Sequence, residues 1–503
     1  MIARIFKQYR PLFLIVLGLI ILIFSTYSQY GKTWDEEDTI AMGDHALSYY
    51  ASFGKDTSYF SFYPQPAFYL TRGPVIEIVR ALITSAAHNP STNFYHLIIA
   101  LFSVTGVIFI YLIALDITKK TSLAITGTAL LLTLPRFYGD MFTNSKDIAP
   151  LYIMLICIYL SFKFFAGKRN LWFLILLGVL FGIKASLRVV QIYAYPFFAL
   201  FAFIQELWIE KKKISTVLFH QIILGVFYLL ALHLFQPYLL THPIFGIKNM
   251  LLDSKKFPEV LPVLLNGKLY SSEALPWFYL PFYMVVTTPL IMLGLFALGN
   301  VLILLKKNSL PYLYLLILFW FPLFVVIVTH PTLYDAWRHF LFLYAPMSVI
   351  AIVGLWQTIL LIPKKLHVYF WGVIAIGIAL PLISMIKLHP YEYTYFNELV
   401  GGTRGTYNKY ELDYWGESFK EATEWINIHQ KQFASKDGNT YIKPCVHMLA
   451  QPYLAPHVII DDALATVYYC INRPNLPNPG YNNLVHMIQR NGVPLNFIQT
   501  KYK

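Results

Sequence analysis

The chain has 503 residues, of which 57% are hydrophobic and 13% charged, against roughly 25% charged in soluble domains. That composition excludes a globular enzyme built around one large core and implies an integral membrane protein. The formal net charge of +13 arises from Lys and Arg at one set of helix ends, the pattern of cytoplasmic loops, so no nucleic-acid partner is expected.

The first segment is basic at Arg4, Lys7 and Arg10 and runs into apolar residues from Pro11 to Phe24. SQYGKTWDEED follows where a cleaved leader would carry small residues, so the segment reads as an uncleaved span entering from the cytoplasm. A span needs about 20 mostly apolar residues. Candidates lie near 11–29, 95–115, 121–138, 148–166, 171–186, 189–208, 216–236, 281–304, 310–329, 339–361 and 368–387, about eleven in all. The third and fifth are short, which fits tilted or partly re-entrant segments.

With the N-terminus inside, the cytoplasmic loops carry Lys119 and Lys120, Lys168 and Arg169, Lys211 to Lys213, Lys306 and Lys307, and Lys364 and Lys365. All are short and basic, as the positive-inside rule expects. The outside loops 29–93 and 236–281 are long, and Ile76 to Ala87 reads as a helix lying on the membrane. The expected division is a membrane domain, 1–387, and an extracytoplasmic α/β domain, 388–503. Within the latter, Glu421 to Ile428 reads as helical and Val458 to Val467 as partly extended. Cys157 lies in an apolar run and reads as a packing residue. Cys445 and Cys470 lie outside, where a bridge and two free thiols are both admissible.

Four charged clusters fall on the outer side. Asp35, Glu36, Glu37 and Asp38 follow the first span; they form either a solvated acidic loop or a carboxylate that activates an acceptor hydroxyl. Asn144 to Asp147 follow the third span, with Asn144 or Ser145 as a helix cap, Asp147 at the positive helix end and Lys146 facing an anion. Lys184 and Arg188 stand at the outer end of the fifth span, either snorkelling to headgroups or neutralising a lipid phosphate. Tyr334, Asp335, Arg338 and His339 open the tenth span, where Arg338 offers a planar fork suited to phosphate oxygens. The chain has no phosphate-binding P-loop, no dinucleotide fingerprint, no HExxH helix and no GxSxG elbow.

Asp35 and Glu36 after the first span, Lys146 and Asp147 in the second outside loop, and Arg338 with His339 before a late span resemble the GT-C class of membrane glycosyltransferases. The resemblance is to the protein O-mannosyltransferase and aminoarabinose-transferase branch. The segment His389 to Ile426 is similar to bacterial members of that superfamily. The resemblance implies an all-α polytopic bundle of about eleven spans with a small C-terminal extracytoplasmic α/β domain. It implies a polyprenyl-phosphate-linked sugar donor, a lipid, glycan or protein acceptor, and transfer with inversion at the outer face of a bacterial inner membrane. In that scheme Asp35 is the general base and Glu36 supports it; Lys146, Arg188, Arg338 and His339 hold the carrier phosphate. A divalent metal is optional across the superfamily, and Glu37 and Asp147 are the residues that would bind one. Two competing readings remain: a transporter or flippase for lipid-linked sugars, and a non-catalytic assembly protein docking through Tyr407 to Trp415. A transporter places ionisable groups near mid-membrane and often shows two related halves; neither is evident here.

Overall fold

The structure, a computed structural model, describes residues 2–63, 72–253, 260–305, 309–473, 476 and 479–501, with side chains from residue 8 onward. Lys306 and Lys307 of the fourth basic loop lie outside the described residues. Among the described residues, eight helices are long and apolar enough to cross a membrane, and a bent pair, Tyr279–Thr287 and Leu290–Leu305, makes a ninth if counted as one span. Two shorter apolar helices, Thr121–Leu132 and Leu171–Leu187, bring the helical segments to the predicted eleven. At 1.5 Å per residue these two are about 18 and 25 Å long, short of a hydrocarbon core of about 30 Å. The chain is a multi-pass membrane protein, and the two segments expected to be short are the two that fall below spanning length.

Local sequence explains the breaks. Thr121–Leu132 stops before Pro135, which opens the short helix Pro135–Thr143 at its first position. The bend of 118° between Tyr279–Thr287 and Leu290–Leu305 falls where Thr288, extended at ψ 134°, precedes Pro289. The polar groups freed there find partners. Asn397 Nδ2 donates to the carbonyls of Val285 and Thr288 at 2.7 and 2.8 Å, and Trp337 Nε1 donates to Thr287 Oγ1 at 2.8 Å.

The span Arg338–Leu361 is the centre of the bundle, with 89% of its apolar window buried, whereas Gln8–Gln29 is 11% buried and faces lipid. Helices Leu290–Leu305 and Tyr344–Leu361 meet backbone to backbone. A Cβ on Gly299 would lie 2.1 Å from Ile350 O, and one on Gly354 would lie 2.2 Å from Leu295 O. Small residues at such crossings replace the hydrophobic drive that lipid removes.

In the first long loop, Glu36–Ala51 packs against Val75–Ala87, whose Val79, Leu82 and Ile83 remain exposed. The second carries a hairpin, β1 (Pro262–Leu265) and β2 (Lys268–Ser271), turned by Asn266 and Gly267, both at positive φ. The C-terminal sheet comprises β3 (Thr440–Pro444), β4 (Val458–Ile460), β5 (Val467–Ile471), β6 (Asn483–Arg490) and β7 (Val493–Thr500). Its order is β4-β3-β5-β7-β6, parallel across β4, β3 and β5 and antiparallel beyond. Helix Ser418–His429 packs on β5, β6 and β7, and Cys445 is disulfide-bonded to Cys470. The predicted helix Glu421 to Ile428 lies inside Ser418–His429. The predicted extended stretch from Val458 holds β4 and reaches the start of β5. Between Leu388 and Ser418 the chain forms turns that lie on the ends of the membrane helices.

Candidate functional site

Four separate chain segments meet at one end of the bundle. Asp35 is the N-cap of helix Glu36–Ala51, and its carbonyl accepts from the Thr39 N–H at 3.0 Å. The loop leading to it is pressed onto the C-terminal segment: Trp34 N–H donates to Trp415 O at 3.3 Å, and a Cβ on Gly31 would lie 2.2 Å from Glu417 O. Lys146 and Asp147 occupy the first turn of Ser145–Phe165. Arg188 ends Leu171–Leu187, the antiparallel neighbour of that helix, so it returns to the same end. Arg338 starts the central span.

The side chains form one ionic cluster. Arg338 Nη1 lies 3.1 Å from Asp35 Oδ2 and 3.4 Å from Asp147 Oδ2. Lys146 Nζ contacts Asp35, and Arg188 Nη2 contacts Asp147. The Asp35 carboxylate is 27% exposed while that of Asp147 is fully buried. Asn144 is the N-cap residue of this helix but makes no side-chain capping bond; its Nδ2 donates to Asp147 Oδ2 and to Asp140 Oδ1, both at 3.0 Å.

Aromatic rings fix the plane of Arg338. Its guanidinium carbon stands 4.5 Å from the centroid of Trp415 and 5.0 Å from that of Tyr334, and Lys146 Nζ lies 5.2 Å from Trp415. Trp415 is held in turn: its Nε1 donates to Asp140 Oδ1 at 3.0 Å. Asp413 Oδ1 accepts the N–H groups of Gly416 and Glu417 at 2.9 and 3.1 Å, and its Oδ2 accepts that of Ser418 at 3.3 Å, fixing the turn beyond the tryptophan. Burial raises the Asp140 carboxyl, opposed by its bonds to Asn144 and Trp415.

Arg72, which precedes Gly73 and Pro74, belongs to the same electrostatic group. Burial pushes its guanidinium down to about 10, with Arg338 adding to the effect and Tyr334 and Asp38 opposing it. Arg188 is pushed down to about 9, first by burial and then by Arg72 and Arg338. Both stay protonated at neutral pH. Three cations, Lys146, Arg188 and Arg338, thus contact the Asp35 and Asp147 carboxylates, with Arg72 electrostatically coupled to Arg338, an arrangement that holds positive charge in reserve for an anion. A small, partly open cleft adjoins them, lined by Arg72, Glu77, Ser145 and Lys146 with Met42 and Leu187. Glu77, which contacts Ser145, is pushed up to about 7 by burial.

Several expected residues take other places. Glu36 turns away from the cations and is buried, its Oε2 2.9 Å from His96 Nε2 and accepting the Thr33 N–H at 3.4 Å. It anchors the loop and does not stand beside Asp35 as a second reacting carboxylate. Glu37 is 60% exposed and pairs with Lys32 at 3.1 Å. It therefore does not join Asp147, whose oxygens are taken by Arg188, Arg338 and Asn144. Among the described residues no three His, Cys, Asp or Glu side chains converge as a metal cage, and the donor set around Asp147 is cationic, so the expected Glu37–Asp147 metal pair does not fit. His339 stands beside the cluster, its ring against the edge of Tyr334 at 4.8 Å. Lys184 does not snorkel; it is buried over Tyr193 with Nζ 3.4 Å from Gln191 O. Sequence reading missed Arg72, Trp415, Asp140 and Arg473. For Arg72 the signal was present, since an outside Arg before Gly-Pro goes against the positive-inside bias as Arg188 does. For Trp415 no local signal separates a site ring from a packing ring.

The pattern of the dolichyl-phosphate-mannose-protein mannosyltransferase family matches residues 71–239. Sequence comparison with curated proteins gives no match. Among solved structures, ArnT from Cupriavidus metallidurans in its apo state is similar at a TM-score of 0.53 and 10% identity, covering 98% of each chain. ArnT bound to undecaprenyl phosphate is similar at 0.52 and 11%, covering 97% of this chain and 98% of that one. The chain carries the fold of ArnT and, over residues 71–239, resembles the dolichyl-phosphate-mannose-protein mannosyltransferases.

Proposed function

We propose that this protein is a glycosyltransferase that moves a sugar from a polyprenyl-phosphate carrier to a hydroxyl or amine acceptor at the outer face of a bacterial inner membrane. One observation carries the reading: a partly exposed carboxylate, Asp35, is set among buried cations, Lys146, Arg188 and Arg338 with Arg72 beside them. The likeness to an ArnT that binds undecaprenyl phosphate supports the choice of carrier. Residues 388–503 form the outer domain in this reading, and the basic loops lie in the cytoplasm.

The chemistry rests on charge. The carrier leaves as a phosphate, so cations rather than a general acid meet it. Asp35 takes the acceptor proton as the acceptor atom bonds to the anomeric carbon. The bond from that carbon to the phosphate oxygen breaks, and its electron pair leaves with the phosphate. Attack from the face opposite the phosphate inverts the anomeric centre. Before the donor arrives, Arg338 and Lys146 are paired with Asp35, which weakens it as a base. A donor phosphate competes for those same donors, so binding releases Asp35 for its task.

The test is turnover by the full chain in nanodiscs with a panel of polyprenyl-phosphate sugars. Transfer or hydrolysis from one donor, lost in Asp35→Asn and weakened in Arg338→Ala, is the expected result. Directional movement of lipid-linked sugars across vesicles with no glycosyl transfer would replace the transferase by a transporter.

A further inference from the structure

The turn that delivers Arg338 is strained and is held from the C-terminal sheet. Asp335 and Ala336 both adopt left-handed backbone, at φ 54° and 59°. Consecutive non-glycine residues persist there when their surroundings over-determine them. Here the constraint is the Asp335 carboxylate. Its Oδ2 pairs with Arg338 Nε at 3.1 Å, and its Oδ1 accepts from Arg473 Nη2 at 2.7 Å. All three side chains are largely buried.

Arg473 lies two residues beyond β5, the middle strand of the five-stranded sheet. Its Nη1 donates to Tyr414 O at 3.4 Å, next to Trp415. It therefore ties together both walls of the slot around Arg338, the turn through Asp335 and the Trp415 segment through Tyr414. The other acid facing it, Glu411, is 3.8 Å away. Burial pushes that carboxyl up to about 8, and Asp335, at 2.7 Å, is the nearer partner.

From this geometry we infer that Arg473 is a positioning residue for transfer: through Asp335 it fixes the turn that presents Arg338, so the C-terminal sheet completes a site built at the end of the bundle. The inference rests on the reading that Arg338 meets the carrier phosphate.

The experiment uses the full chain in nanodiscs with Arg473→Gln, Arg473→Lys, Asp335→Asn and the double variant Arg473→Gln/Arg338→Ala. Amide exchange across 334–340 rises in Arg473→Gln and Asp335→Asn, while helix Tyr344–Leu361 keeps its protection. Donor KM rises about tenfold with a smaller change in kcat, Arg473→Lys recovers part of it, and Arg473→Gln adds little once Arg338 is gone. Unchanged exchange in the turn, or losses that simply add in the double variant, would overturn the inference. If the wild type transfers from no donor while exchange in the turn still rises, the transferase reading fails and the tie between sheet and turn stands.

Discussion

Arg338 Nη1 lies 3.1 Å from Asp35 Oδ2. This contact joins the start of the central span to the cap of the first outer helix. It also places the most accessible carboxylate of the cluster against a guanidinium whose plane two rings define.

Asp35→Asn removes the proposed base without changing shape. Transfer should fall by about 10²–10⁴-fold, the usual worth of a positioned general base. Donor binding should hold or tighten, because Arg338 and Lys146 lose their resting partner. Steady-state transfer together with equilibrium binding of a polyprenyl phosphate separates the two effects. Equal loss of both would assign Asp35 to binding.

Trp415→Leu takes the ring from beneath Arg338 and Lys146 and leaves Asp140 without its indole donor. A desolvated cation–π contact is worth about 1–2 kcal/mol, so donor KM should rise roughly 5–30-fold. Trp415→Phe keeps a ring and loses the N–H, so it should recover donor affinity while still melting below the wild type. The two readouts are donor titration and thermal unfolding.

Gly31 has no room for a side chain, since a Cβ would lie 2.2 Å from the backbone oxygen of Glu417. Gly31→Ala should push the Asp35 loop off the C-terminal segment and lower transfer at least as much as it lowers stability. Gly18, with nothing within 4 Å of its Cβ position, is the matched control, and Gly18→Ala should leave transfer unchanged.

Glu411 is held up to about 8 from its usual 4.5, first by burial and then by Asp335, with Arg473 and Arg338 opposing. Between those values the folded chain binds this proton more often than the unfolded one. Its contribution to stability is therefore complete below about 4.5, falls as pH rises toward 8, and is flat above. Glu411→Gln should flatten that slope, so its melting temperature gains on the wild type at pH 8 relative to pH 5. Parallel melting curves for the two proteins across that range would refute this assignment.

Much of the architecture was legible from hydrophobic run length alone. Each predicted apolar segment is helical, two of them as broken pairs, because a chain in lipid must satisfy its own backbone groups and a helix does so within one segment. The two short segments, expected from their run lengths, have local causes: Pro135 cuts one run, and the run ending at Leu187 is too short for the hydrocarbon thickness. The candidate acids were legible as clusters in loops away from the short basic ones, and Arg188 as a cation standing against the positive-inside bias. Their roles were less so. Asp35, Glu36 and Glu37 are indistinguishable as letters, yet one faces the cations, one is buried on His96 and one pairs with Lys32 in solvent.

By itself, the sequence determined the membrane class, the helical segments, the polar C-terminal region and the charged positions available for chemistry, because these depend on composition and on spacing along one chain. Only the tertiary structure decided that Arg338 bridges Asp35 and Asp147, that Trp415 supplies the ring beneath it, and that Arg473 reaches Asp335. Those contacts join residues that run length and local propensity do not relate, and a carboxylate's partner is set by which buried cation packing brings within reach.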